Sequence, residues 1–332
     1  MIITKMLYSN VSIVLLEMQA VLVQSIVKIL KKAGFTLTDI VETKPRCFDI
    51  VARRDKIVLL IKVLYNIDSL KVEMAEEMKM IAKLLNASPI VVGERFKFDY
   101  LERGVVYNRY GLPVINTATF YDFIVEKVPP MVYSAPGGHY VKLDSEKIRE
   151  AREKAGISLG EIAKALGVSR RTVKKYEEGI DTSIENALKL EELLGTYIIK
   201  AIDLLNFVQD AKEFRDVKPE LREKEEEIVE QLRCIGVEVH PLKHAPFDVV
   251  SKAENNSILT GVKQIKEIEK KAKILGRVSV VLSTKAAYIV EKDIKKDINS
   301  VVFVMKDELS CVSSPKDFIS LLDEKRSTEN NI

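Results

Sequence analysis

Apolar positions recur at helical spacing in two distant parts of the chain. Ile26, Val27 and Leu30 line a helix that ends at Gly34, and Ile228, Val229 and Leu232 line one that ends at Gly236. A strand follows each, FDIV at 48–51 and FDVV at 247–250. A second comes next, KIVLLIKVL at 56–64 and SILTGVK at 257–263. A charged amphipathic helix then precedes an apolar run with the look of a buried strand, PIVVG at 89–93 and VSVVLS at 278–283. Both stretches close on Asp-Phe-Ile, at 122–124 and 317–319, so the offset between them is nearly constant. The pattern predicts an internal duplication, each copy a small α/β sandwich.

Between the copies the pattern changes to four short helices. Asp144 precedes SEKIREAREKAG, which ends at Gly156, and Ser158 with Glu161 makes a capping box for LGEIAKAL. Gly167 ends that helix and Ser169 caps RRTVKKYEEG. Asp181 or Thr182 is expected to cap the fourth, with Ile184, Ala187, Leu188 and Leu190 on one face. Helices this short hold only as a packed bundle.

Two breaks set the expected boundaries. Pro129–Gly138 concentrates prolines and glycines that stop regular structure, and Asp210–Glu227 is a charge-dense run. The 332 residues then divide into an extension at 1–17, an α/β domain at 18–128 and a linker at 129–143. A helical domain follows at 144–209, then a linker at 210–220, a second α/β domain at 221–326 and a tail at 327–332. The fold class expected is α/β plus all-α.

Composition narrows the chemistry. Lys and Arg number 52 against 49 Asp and Glu, for a net charge of +3, so nucleic-acid contact requires a local basic patch. The three cysteines, Cys47, Cys234 and Cys311, lie far apart without CxxC spacing, against a disulfide scaffold or a zinc finger. Cys47 and Cys234 read as small buried hydrophobes. No run approaches the ~18 apolar residues of a membrane span. The longest near the start is VSIVLL at 11–16, which also makes a poor signal peptide. A cytoplasmic, reducing location is expected, with no membrane and no cofactor.

The local patch lies on the third short helix. With Val173 and Tyr176 facing inward at i and i+3, Arg171, Lys174 and Lys175 face outward, and Arg170 projects from the first turn. Ala163 is small where two helices approach, and Gly167 supplies the positive φ of the turn. The stretch SLGEIAKALGVSRRTVKKYEEG resembles the phage-repressor helix-turn-helix of the Cro/C1 or XRE type. The whole layout resembles a family of archaeal HTH-type transcriptional regulators. That resemblance implies DNA contact by Ser169, Arg170, Arg171 and Lys175; Lys174, on the outward face, and Thr172 are expected to join them. The sequence departs at Leu159, where phage repressors usually offer a polar DNA contact.

The outer copies resemble the restriction-endonuclease-like fold of Holliday-junction resolvases. Those enzymes place an Asp on one strand and acid-x-Lys on the next, two carboxylates holding Mg²⁺ while the Lys positions water. Here Asp49 stands with Leu60-Ile61-Lys62, and Asp248 with Gly261-Val262-Lys263. The second acid is missing from both, so a vestigial site without catalysis is expected. His240 and His244 have ligand spacing but carry Pro241 between them and no third ligand, so no metal site is expected. His139 is expected at the surface.

These readings predict a sequence-specific, double-stranded DNA-binding regulator. Helix 169–178 would enter the major groove, and a homodimer would sit on a palindromic operator. The outer domains would supply the dimer interface and a pocket for an unknown effector. Two alternatives stand: a structure-specific or repair nuclease completed by Glu42 or Asp55, and an architectural protein without sequence preference.

Overall fold

A computed structural model describes residues 2–38, 46–207, 221–262, 268–291, 298 and 300–329. Lys263, Glu42 and the 210–220 linker lie outside the described residues. The first elements are α1 (Ile2–Lys32), β1 (Thr36–Leu37), β2 (Ile50–Arg54), β3 (Ile57–Asn66), α2 (Val72–Leu84), β4 (Ser88–Phe96), β5 (Asp99–Tyr100), β6 (Val105–Arg109), β7 (Leu112–Ile115) and α3 (Thr117–Tyr121). The centre holds β8 (Val132–Ala135), β9 (Gly138–Leu143), α4 (Ser145–Ala155), α5 (Leu159–Leu166), α6 (Arg170–Glu177), β10 (Thr182–Ser183), α7 (Ile184–Leu194) and β11 (Ile199–Lys200). Last come α8 (Glu223–Cys234), β12 (Glu238–Pro241), β13 (Val249–Ala253), β14 (Asn256–Gly261), α9 (Ile268–Leu282), β15 (Lys285–Val290), β16 (Val302–Met305), α10 (Lys306–Leu309) and α11 (Pro315–Glu329).

The chain folds as two compact units. One comprises Met1–Ile29, Leu64–Asp68 and Ile90–Phe207, and the other Leu30–Val63, Ser69–Pro89 and Val208–Ile332. In the first, β4 runs parallel to β7, β7 antiparallel to β6, and β6 parallel to β8. β8 and β9 form a hairpin, and β9 also pairs with β10 and β11. Pro129–Gly138, whose composition predicts a break, thus includes a strand, with Pro136 and Gly137 forming the turn between Ala135 and Gly138. The four-helix bundle shares its core with this hairpin: Val141 and Leu143 of β9 join Ile148, Ile162, Val173, Ala187 and Leu190.

In the second unit β12, β13 and β14 pair antiparallel, and β14, β15 and β16 pair parallel. Ile228, Ile258, Val304 and Phe318 form part of its core. β1, β2 and β3 pair antiparallel in the same sense. VSVVLS, expected as a strand, is the end of α9 instead. Ala272, Leu275, Val278, Val281 and Leu282 keep one buried helical face, while Val280 is exposed. Short β-branched runs fit either element, and packing against the sheet overrides propensity. The strand is KAAYIV at Lys285–Val290.

The N-terminal segments of this unit pack directly on the C-terminal ones. The rings of Phe48 and Phe247 lie 6.3 Å apart. The Cys47 amide donates to the His244 carbonyl at 2.6 Å. Buried Glu77 of α2 accepts from the amides of Lys243 and His244 at 3.0 and 2.6 Å, and its Oε2 stands 3.1 Å from His244 Nδ1. Among the described residues no cluster of three or more His, Cys, Asp and Glu could hold a metal, and no helix is long and apolar enough to cross a membrane.

Candidate nucleic-acid interface

The bundle places α6 by caps at both of its neighbours' ends. Ser158 accepts from the Glu161 amide at 3.2 Å while Glu161 accepts from the Ser158 amide at 2.7 Å, closing the expected box. Those bonds hold the Glu161 carboxyl below its usual range. Gly167 takes φ +67° at the turn, and Ser169 accepts from the Thr172 amide at 3.1 Å to start α6. Ser183, rather than Asp181 or Thr182, caps α7. Thr182 is buried in β10 and donates to the Tyr176 hydroxyl at 3.0 Å, while Asp181 accepts from the Tyr133 hydroxyl at 2.7 Å.

Val173 and Tyr176 are buried, so the opposite face of α6 is open. Ser169, Arg170, Arg171, Lys174 and Lys175 are exposed, and Thr172 is half-buried with its hydroxyl 2.9 Å from that of Ser169. No described carboxylate pairs with any of these four cations. Two supports escaped sequence reading. Arg152 of α4 forms a two-point ion pair with Glu177 at the end of α6. At Gly160, a Cβ would stand 2.9 Å from the Arg170 guanidinium, so the glycine leaves room for that side chain over the first turn of α5. Neither has a periodic signature, because each joins residues on different helices. Leu159, at the expected polar position, is half-buried against the bundle core.

Comparison with known proteins agrees with this geometry. Residues 148–199 match a helix-turn-helix family, and residues 19–130 match the PD-(D/E)XK superfamily domain. A protein of Archaeoglobus fulgidus named "Putative HTH-type transcriptional regulatory protein" is 65% identical, covering 94% of this chain and all of that one. Proteins of the same description from Methanococcoides burtonii and Haloarcula marismortui are 39% and 38% identical, each covering 92% of this chain and 97% of their own. The chain belongs to this archaeal family of HTH-type transcriptional regulators. It is a DNA-binding transcription regulator. No solved structure matches it.

The regulator's PD-(D/E)XK region keeps one carboxylate where the pattern's name asks for two. Asp49 is buried and accepts from the Val63 amide at 2.7 Å; Lys62 Nζ lies 3.4 Å away, and Arg46 also bonds the carboxylate. Leu60, at the place of the second acid, is buried in β3. In the C-terminal segment Asp248 accepts from the Val262 amide at 3.0 Å, the same fourteen-residue reach. The strand registers, Ile50 with Ile61 and Val249 with Thr260, make Gly261 the counterpart of Lys62. The register therefore puts Gly261, two residues before Lys263, at the position of Lys62. Lys271 of α9 holds Asp248 at 3.0 Å, a partner from a different element that no strand motif could reveal.

The remaining sequence candidates are placed as follows. His244 faces Glu77, His240 lies beside Glu238, and half-buried His139 stands 3.6 Å from Glu102. Cys47 is buried, whereas Cys234 and Cys311 are exposed, so Cys234 is not the core residue expected. Burial, with the nearby Glu77 charge, raises the Cys47 thiol well above its ordinary pKa, and it stays protonated.

Proposed function

We propose that the regulator reads a palindromic operator as a homodimer, with α6 in the major groove. Arg170 and Arg171 contact base edges, Lys174 and Lys175 neutralise phosphates, and Ser169 with Thr172 bonds the backbone at the helix start. The observation that carries this is the open face of α6: four cations paired with no described carboxylate, on a helix fixed by the Ser169 cap, the Tyr176 anchor and the Arg152–Glu177 pair. Ile180, Leu188 and Tyr197, exposed apolar residues after α6, favour contact with a second copy.

The α/β segments 18–128 and 221–326 are duplicated copies of a nuclease-like fold that no longer cleaves. The matching Asp49–Val63 and Asp248–Val262 bonds support the duplication. Their carboxylates are spent on backbone amides and lysines, which disfavours a magnesium role. An effector that adjusts DNA affinity would bind among these segments. The test is selection from a random duplex pool at near-physiological salt, with Mg²⁺ added in parallel. An enriched palindrome with uncut DNA supports the reading. Retention without enrichment favours an architectural protein, and Mg²⁺-dependent cutting favours the nuclease.

A further inference from the structure

Two hairpin tips of the first unit expose large aromatic rings layered with cations. β4 and β5 turn through Lys97 and Phe98, and β6 and β7 turn through Tyr110 and Gly111. Phe98 is 88% exposed, Tyr100 65% and Tyr110 40%. The Arg95 guanidinium lies 4.8 Å over the Tyr100 ring, while that of Arg109 lies 4.9 Å from Tyr110 and 5.8 Å from Phe96. Asp68 clamps both tips, accepting from the Lys97 amide at 2.7 Å and facing Arg109 Nη2 at 3.3 Å.

Three features set this surface apart from ordinary loop ends. Lys97 and Tyr110 adopt φ of +54° and +53°, a region where bulky residues are outliers and which tight hairpins normally fill with Asn or Gly. The buried Nε atoms of Arg95 and Arg109 have no hydrogen-bond partner. Of the nearby acids Asp122 pairs with Arg103 and Glu94 bonds Thr117, while Asp99, between Phe98 and Tyr100, is exposed; Arg95 and Lys97 pair with no described carboxylate.

We propose that these tips form a second nucleic-acid site, which stacks the unpaired bases of single-stranded DNA on Phe98 and Tyr100 and holds its phosphates with Arg95 and Lys97. A duplex keeps its base faces stacked internally and cannot use such a platform. A single strand offers base faces and phosphates together, the pair of chemistries present here. The site is separate from α6 and does not rest on the operator reading.

The test compares the full chain with its Phe98→Ala/Tyr100→Ala and Arg171→Ala/Lys174→Ala variants. Each is titrated against a labelled fifteen-nucleotide thymidine strand, an abasic strand of equal length and a duplex. The aromatic variant should bind the thymidine strand at least about tenfold more weakly and the duplex unchanged. The α6 variant should show the reverse, and the abasic strand should bind the wild-type chain more weakly than the thymidine strand does. Wild-type protein that ignores the thymidine strand, or an aromatic variant that binds it equally well, would overturn the proposal. So would a change of oligomeric state on Phe98→Ala alone, which would make the patch a contact between copies. Loss of duplex binding by the α6 variant with the thymidine strand unaffected leaves the two sites independent.

Discussion

Arg152 and Glu177 join α4 to the end of α6 through two parallel contacts, Nε to one carboxylate oxygen and Nη2 to the other. Both side chains are largely shielded from water. Removing the arginine strands a carboxylate beside the bundle core. Arg152→Ala should lower stability by about 1–3 kcal/mol, measurable by urea unfolding. Duplex affinity should fall too, because a loosened α6 must be reordered on binding.

Arg171 and Lys174 should separate under base substitution. Arg171→Ala is expected to relax preference at one base pair while costing about 1–3 kcal/mol on the operator. Lys174→Ala should weaken every duplex alike and reduce the salt slope by about one phosphate. Binding isotherms on the operator and a scrambled duplex at several salt concentrations read both. Identical behaviour of the two variants would refute the division of labour.

Glu161 links the bundle to acid. Its carboxyl is lowered because the Ser158 amide bonds the ionised form. A lowered folded-state pKa gives stability that is present above the ordinary carboxylate value and lost as pH falls through the folded one. Thermal melting should therefore hold between neutrality and about pH 5, then decline below about pH 4. Glu161→Gln should flatten that acid limb without steepening the neutral one.

Asp49 should behave as a structural carboxylate. Asp49→Ala leaves the Val63 amide without its acceptor and buried Lys62 without its counter-charge, a loss of about 3–5 kcal/mol. Millimolar Mg²⁺ should leave the wild-type melting temperature unmoved, since an ion that binds the folded state raises it. A clear upward shift would restore the metal reading.

The helix-turn-helix was legible because its signals are local. Caps at Ser158 and Ser169, the turn at Gly167 and the inward pair Val173 and Tyr176 all lie within twenty residues. What joins distant elements was not. Lys271 reaches Asp248 from another element, and Glu77 meets His244 across 167 residues. VSVVLS misled because its volume and branching suit a strand as well as a helix face, and only the sheet beneath decides. The β8–β9 hairpin hid among prolines that sit at strand edges and turns rather than in central ladders.

The chain's order of synthesis meets its folded order awkwardly. Phe48 and Cys47 are covered partly by Phe247 and His244, which emerge from the ribosome about two hundred residues later. A nascent regulator that has already formed α6 still shows bare the apolar surface of its earliest strands. The second unit closes only when translation is nearly done, so DNA-binding helices are available before the protein that carries them is finished. Chains interrupted after α7 would carry α6 together with the uncovered surface around Phe48 and Cys47.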